Sequence, residues 1–418
     1  MSIQYRYFIK LECKLASPLL ISSGLDETTD ADLIRNGQDE LFIPGSSIAG
    51  AIREYLKDKS KKMMGFSDVS GRGKMSSLLI EDAFFKDIPQ TSIRDSIKLD
   101  DNKIVSEGSK FDFEIIDTGA MFNIFMEYVQ RDGDSPIDDL AIVLKGFDSG
   151  EIRLGGKKSR GYGRISIENA YKVEFNDKQI SDYLEFLMNP VYKDAQKWDY
   201  KQMSQRYDYM HISVPLKQRG GISIRRYSAT PNEADFEHVT SNQLPVIPGT
   251  SWNGAVRARL KYILQEIGYG NFSQKCLDEW FGYVKANEAL KSLIIFGESI
   301  IKDATKITIS RNSIDRFDAS TKDGALYTET SYFNGTTELE MMIEKNNDRH
   351  YKALVGMIEL IMDDIQDGYL AIGGQTSIGR GIFEADHSKS VDYSGDDLSN
   401  AQKELVNYLE ELSYEDAR

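Results

Sequence analysis

Phe42-Ile43-Pro44-Gly45-Ser46-Ser47-Ile48-Ala49-Gly50-Ala51-Ile52-Arg53 recurs in altered form as Val246-Ile247-Pro248-Gly249-Thr250-Ser251-Trp252-Asn253-Gly254-Ala255-Val256-Arg257. Each copy reads as an apolar strand end, a Pro-Gly turn, a hydroxyl pair and a helix of small residues with an arginine a turn or so in. A helix that begins this way offers unpaired backbone N–H groups and the positive end of its dipole to an anion. Gly45 and Gly249 admit a close approach of the backbone, and Ser46, Ser47, Thr250 and Ser251 supply hydroxyls. Arg53 and Arg257 supply charge. Pro-Gly-Ser is also an ordinary turn and helix cap, so one copy alone would carry little weight. Two copies in matching context carry more.

Outward from the motif, the surroundings repeat as well. A first strand over Tyr5 to Ser22 precedes copy one, and Met210 to Val214 precedes copy two. Strands follow at Ser77 to Phe85, Lys110 to Ile116 and Phe122 to Gln130, then a helix from Pro136 to Phe147, by period and breaker signals. A glycine-rich loop closes each half: Gly155-Gly156-Lys157-Lys158-Ser159-Arg160-Gly161-Tyr162-Gly163-Arg164, and Gly373-Gly374-Gln375-Thr376-Ser377-Ile378-Gly379-Arg380-Gly381. These loops lack the Gly-Lys-Ser/Thr ending of a Walker motif and lead into strands. Their glycines let backbone N–H groups approach phosphates, and Lys157, Lys158, Arg160 and Arg164 give the first loop more charge than Arg380 gives the second. The order strand, helix, strand, strand, helix, strand is ferredoxin-like. The halves are therefore expected at 1–190 and 207–390, with a linker at 191–206 and an acidic terminal helix within 391–418.

Composition limits the chemistry. With 418 residues the chain accommodates two domains, at roughly 150 residues each. Two cysteines, Cys13 and Cys276, exclude a disulfide framework and a thiolate zinc site, and the four histidines lack ligand spacing. Any metal would be held by oxygen. A net charge of −15 argues against a general nucleic-acid coat while leaving a local groove open. No long apolar run and no signal peptide is evident, so the expected location is cytoplasmic, away from any membrane.

Together the Ile-Pro-Gly-Ser/Thr-Ser helix starts, the two glycine-rich loops and the run Arg311-Asn312-Ser313-Ile314-Asp315-Arg316-Phe317 resemble the RAMP superfamily. The resemblance is closer to the backbone subunits of type III CRISPR effector complexes, and the doubling is similar to the tandem subunits of type III-D-like systems. It implies two RRM-like ferredoxin folds with β-hairpin thumbs at about 91–110 and 311–337, and a multi-subunit partner complex. It also implies a groove for CRISPR guide RNA paired to a complementary target RNA, lined here by the helix starts, both glycine loops, Trp252, Arg311 and Arg316. Finally, it implies Mg²⁺- or Mn²⁺-dependent endoribonuclease cleavage of the target by an aspartate upstream of each Ile-Pro-Gly.

Asp30-Ala31-Asp32-Leu33-Ile34-Arg35 fits that aspartate pattern, and Asp235-Phe236-Glu237-His238-Val239-Thr240 fits it more loosely. Asp30 and Asp235 are the expected catalytic and metal-holding residues, with Asp26 and Asp32 as rivals in the first loop. Tyr162, Trp252 and Phe317 are either base-stacking platforms or core. A non-catalytic RNA scaffold is the alternative function. A guide-precursor processing endoribonuclease is less favoured, since it needs a positioned histidine and only His238 lies in either loop.

Overall fold

The computed structural model describes residues 3–22, 24, 29–68, 73–97, 110–192, 196–202, 208–227, 234–285, 288–345, 348–394 and 400–416. It divides into two compact units. One comprises Met1–Ser96, Phe111–Lys158 and Tyr162–Arg206; the other comprises Ile97–Lys110, Ser159–Gly161 and Tyr207–Arg418.

In the first unit, β1 (Ile3–Leu15) alternates strictly. Tyr7, Ile9, Leu11 and Cys13 are buried, while Arg6, Phe8, Lys10 and Glu12 point the other way. The chain continues through α1 (Gly45–Leu56), β2 (Leu78–Ile80), the antiparallel hairpin β3 (Thr91–Ser96) and β4 (Phe111–Ile116), β5 (Met121–Arg131), α2 (Asp138–Ser149) and β6 (Ile165–Asn176). The main sheet runs β6-β1-β5-β2, all antiparallel. In terms of its own strands the order is fourth, first, third, second. Helices α1 and α2 bury Ile48, Ile52, Tyr55, Leu140, Leu144 and Phe147 against the inner face. The hairpin β3–β4 is an insertion, and much of the thumb expected at 91–110 lies outside the described residues.

The second unit repeats this plan with β8 (Tyr209–Arg219), β9 (Arg225–Tyr227), β10 (Phe236–His238), α4 (Gly249–Glu266), α5 (Ser273–Phe281), β11 (Ile294–Phe296), β12 (Thr305–Arg311), β13 (Tyr327–Phe333), β14 (Thr336–Glu344), α6 (Asp348–Gln366) and β15 (Ile382–Ala385). Its sheet order is β11-β14-β8-β15, again fourth-first-third-second read from the other end. Strands β12 and β13 form the counterpart hairpin, which joins β9 and β10 in a second small sheet. Each unit is thus a mixed α+β domain of β-α-β-β-α-β connectivity.

One boundary differs from expectation. Within the linker expected at 191–206, the described residues are anchored: β7 (Gln196–Lys197) pairs with Tyr171 and Lys172 at the sheet edge, and buried Tyr200 donates its hydroxyl to Asp148. The aromatic anchor outweighs the surrounding charges. The terminal helix is present and packs: α7 (Ala401–Asp416) buries Leu405, Tyr408, Leu409 and Leu412 in the second core. Among the described residues no helix is long and apolar enough to cross a membrane.

Part of the outer face of the first sheet is covered. Helix α3 (Ile180–Met188) lays Phe186 and Tyr183 on Phe8 and Phe175, with the Phe8 and Phe186 rings 4.9 Å apart, and Tyr192 covers Phe125.

Candidate nucleic-acid interface

The helix starts superimpose chemically on each other. Phe42–Ile43 pairs with Ala83–Phe84, and Val246–Ile247 pairs with Ser299–Ile300, so each motif strand is bound just past the end of the second sheet strand. The carbonyl of Pro44 accepts from Ser47 and Ile48, and that of Pro248 from Ser251 and Trp252. A Cβ on Gly45 would stand 2.6 Å from the Ile80 carbonyl oxygen, and one on Gly249 would collide with that of Phe296. Glycine is required there by the strand beneath it, a different reason from the ligand approach that the motif suggested.

Several expected phosphate contacts are engaged inside the protein. The N–H of Gly45 donates to Asp82 Oδ1 at 2.7 Å, so a carboxylate already occupies the first helix start. Arg53 donates to the carbonyls of Met64 and Gly65, closing the short helix Ser60–Met64. Arg257 does the same work in the second unit, donating to Leu277 O and Asp278 while lying over the Phe281 ring. Trp252 is core, fully buried, with its indole N–H on Ser299 and its ring against Phe383. Tyr162 is core too, edge-on to Phe113. The hydroxyls of Ser46, Ser47, Thr250 and Ser251 cap neither helix; Ser46 is exposed and the other three are partly so.

The glycine loops share one backbone. Gly156 N–H donates to Leu20 O and Gly374 N–H to Ser223 O; Gly163 N–H donates to Pro18 O and Gly381 N–H to Gly221 O, all at 2.7–2.8 Å. Their side chains differ. The Lys157 ammonium sits 3.4 Å from the Phe113 ring centroid, Lys158 pairs with Glu54 at 2.7 Å, and Arg164 packs on Gly150 at the end of α2. Arg160 and Gly156 are exposed, while Gly155 is partly exposed. In the second loop Gly373 is exposed and Gly374 partly so, and Arg380 lies over Phe333. Burial and the nearby positive charge of Arg311 hold the Arg380 guanidinium below its usual pKa. Arg311 is the last residue of β12, where the connection to β13 begins. Arg316 and Phe317 are exposed on the connection beyond, Phe317 at 97%.

The two predicted aspartates occupy equivalent places. Asp112, second residue of β4, donates its N–H to Asp30 Oδ2 at 2.9 Å, and Asp30 N–H donates to Asp112 Oδ1 at 3.2 Å. Thr328, second residue of β13, donates its N–H to Asp235 Oδ2 at 2.7 Å and its hydroxyl at 3.0 Å. Both carboxylates are exposed, beside the end of the inserted hairpin from which its connection leads. The Thr328 N–H first, and its hydroxyl second, hold the Asp235 carboxyl below the usual carboxylate range. Asp32 is separated from Asp30 by burial: it is 8% exposed and accepts from the Thr29 hydroxyl, bracing the loop. Asp26 lies outside the described residues.

These donors suit a hard cation only in part. Each aspartate engages Oδ2 in the bonds above, leaving Oδ1 as a carboxylate ligand, and among the described residues no group of three or more His, Cys, Asp or Glu converges. A phosphate would have to complete the coordination. His238 is structural: 2% exposed, it accepts at Nδ1 from Ile224 N–H and so donates from Nε2 to Val246 O, both at 3.0 Å. Asp82, Asp112, Thr328 and Glu329 were not evident from sequence, since their partners lie dozens of residues away.

Two repeated α+β units, each with an inserted hairpin and a glycine-rich loop, define a duplicated scaffold. The family model of the RAMP superfamily matches residues 12–166 and 215–384, once in each unit, and the chain belongs to that superfamily as a tandem two-repeat member. A comparison with curated proteins finds no match.

Proposed function

We propose that the chain is a guide-RNA-binding backbone subunit of a type III CRISPR interference complex, and that it cuts the paired target RNA once per repeat. On this reading the units are tandem ferredoxin-like domains whose hairpins β3–β4 and β12–β13 act as thumbs that interrupt the guide–target duplex. Other effector subunits complete the assembly. The observation that carries the reading is the matched placement of Asp30 and Asp235. Each is exposed and gripped by the same position of the hairpin's second strand. Neither contact stabilises a core, and duplication of an exposed carboxylate with its backbone donor is better explained by chemistry than by folding.

Cleavage by in-line attack of a 2′-hydroxyl on the adjacent phosphate needs alignment and neutralisation of developing charge. Asp30 and Asp235 would each hold a Mg²⁺ or Mn²⁺ together with the RNA phosphate, and the ion would supply electrostatic stabilisation there. Arg160 on one loop and Arg311 with Arg380 near the other bind flanking phosphates, and the exposed helix-start hydroxyls contact the backbone.

The runner-up is a scaffold with idle aspartates, favoured by the fact that among the described residues no three His, Cys, Asp or Glu converge. A precursor-processing nuclease is disfavoured, since both His238 nitrogens are engaged by backbone. The deciding experiment places end-labelled target RNA on the assembled complex with Mg²⁺, then with EDTA. We expect two cuts at a fixed interval, both lost in EDTA; Asp30→Ala removes one and Asp235→Ala the other, with target affinity retained. Cuts that persist in both variants would overturn the assignment, and no cutting under any condition would establish the scaffold.

A further inference from the structure

The third residue of each glycine loop has a side chain where the backbone asks for none. Lys157 has φ 52° and Gln375 φ 58°, the left-handed region that glycine occupies freely and other residues occupy at a cost. Two glycines precede each of them, so a third would be the simplest solution. Instead both copies carry a long side chain, and each reaches the second strand of the hairpin. Lys157 places its ammonium over Phe113 and Phe111, 3.4 and 4.3 Å from the ring centroids. Gln375 donates from Nε2 to Glu329 Oε2 at 2.6 Å. Glu329 is 2% exposed and also accepts from the Ser223 hydroxyl and from Arg225 Nε at 3.1 Å.

Phe113 and Glu329 stand at the same strand position, each one residue beyond the backbone N–H that grips the aspartate. The chemistry of the pair differs completely between repeats, cation over aromatic ring in one and amide on carboxylate in the other, while the connection is kept. What is preserved is a tie from glycine loop to hairpin strand, and through the next peptide to Asp30 or Asp235.

We infer that Lys157 and Gln375 are positioning residues: each, through its own partner Phe113 or Glu329, holds the hairpin strand whose preceding N–H sets the aspartate, so each cut depends on the pair in its own repeat. This rests on the catalytic reading of Asp30 and Asp235. It also means that Lys157 serves the hairpin aromatic rings, whatever phosphate lies nearby.

The test uses the assembled complex with Lys157→Gly, Gln375→Gly and Lys157→Arg. Glycine relieves the backbone strain at these positions, so the variants fold. Three quantities are read: the single-turnover rate of each cut at saturating target, target affinity, and amide exchange at Asp112 and Thr328. Gln375→Gly should slow the Asp235 cut on the order of tenfold, leave the Asp30 cut and target affinity unchanged, and speed exchange at Thr328 alone. Lys157→Gly should give the mirror result at Asp112, and Lys157→Arg, which keeps a cation over the rings, should restore it. Unchanged cut and unchanged exchange would overturn the inference, as would a loss of affinity with both cuts slowed equally, the mark of a phosphate contact. If Asp235→Ala spares its cut, the catalytic reading falls, and exchange at Thr328 still decides whether Gln375 holds the strand.

Discussion

The first glycine loop carries four basic side chains and the second carries one, yet three of the four are engaged by the first unit itself. Lys157 is drawn onto aromatic rings, Lys158 onto Glu54 and Arg164 onto the end of a helix, which leaves Arg160 exposed. The second loop has Arg380, reinforced by Arg311 from the neighbouring hairpin. Counting charges along a segment overstates the contrast, because a cation engaged by its own protein contributes little field to a ligand. The backbone of the loops is the conserved device within this chain, and side chains are fitted to it locally.

Substitutions can break or sharpen that comparison. The largest effect should come from Gly163→Ala and Gly381→Ala. Both residues have positive φ, 78° and 72°, and a Cβ would collide with the carbonyl of Leu154 or Ile372. Each should destabilise its own unit by about 3 kcal/mol or more, equally in both, in denaturant unfolding; unequal losses would mean the loops are not equivalent. Trp252→Ala should cost about 3–5 kcal/mol by cavity formation, where a base-stacking role would cost binding and spare stability.

Glu329→Gln comes next and has no counterpart in the first unit. Burial alone would raise the Glu329 carboxyl, but donors from Arg225, Ser223 and Gln375 together bring it below the usual glutamate range. A lowered folded-state pKa contributes stability above the unfolded value of about 4.3, and loses it as pH falls through the folded value. The variant should therefore be weaker by about 1–3 kcal/mol at pH 7, with the difference shrinking below about pH 4. A pH-independent difference would show that shape, not charge, ties the strand. Phe317→Ala should be the smallest, within about 0.5 kcal/mol in stability. At 97% exposure its effect should appear in target RNA binding alone.

Much of this architecture was legible in the amino-acid order. The duplicated helix start, the paired glycine loops and the alternation of β1 are local patterns, and they led to the right connectivity, while Asp30 and Asp235 came from the resemblance. What escaped was long-range register. Nothing near Asp30 reveals that Asp112 will donate to it, and nothing near Arg53 reveals the carbonyls of Met64 and Gly65. Trp252 was recoverable: with Val256, Leu260 and Leu264 it forms an i, i+4 stripe, the mark of a buried helix face, and Ile48 with Ile52 forms the matching one. Aromaticity near a basic motif drew attention from the period.

One further consequence lies in helix α3. By packing Phe186 and Tyr183 on Phe8 and Phe175, the first unit engages these outer-face rings within itself. Rings used this way are not offered to a nucleobase on that face. On the proposed function, choice of sequence is then left to the guide, and a single polypeptide can serve any number of them.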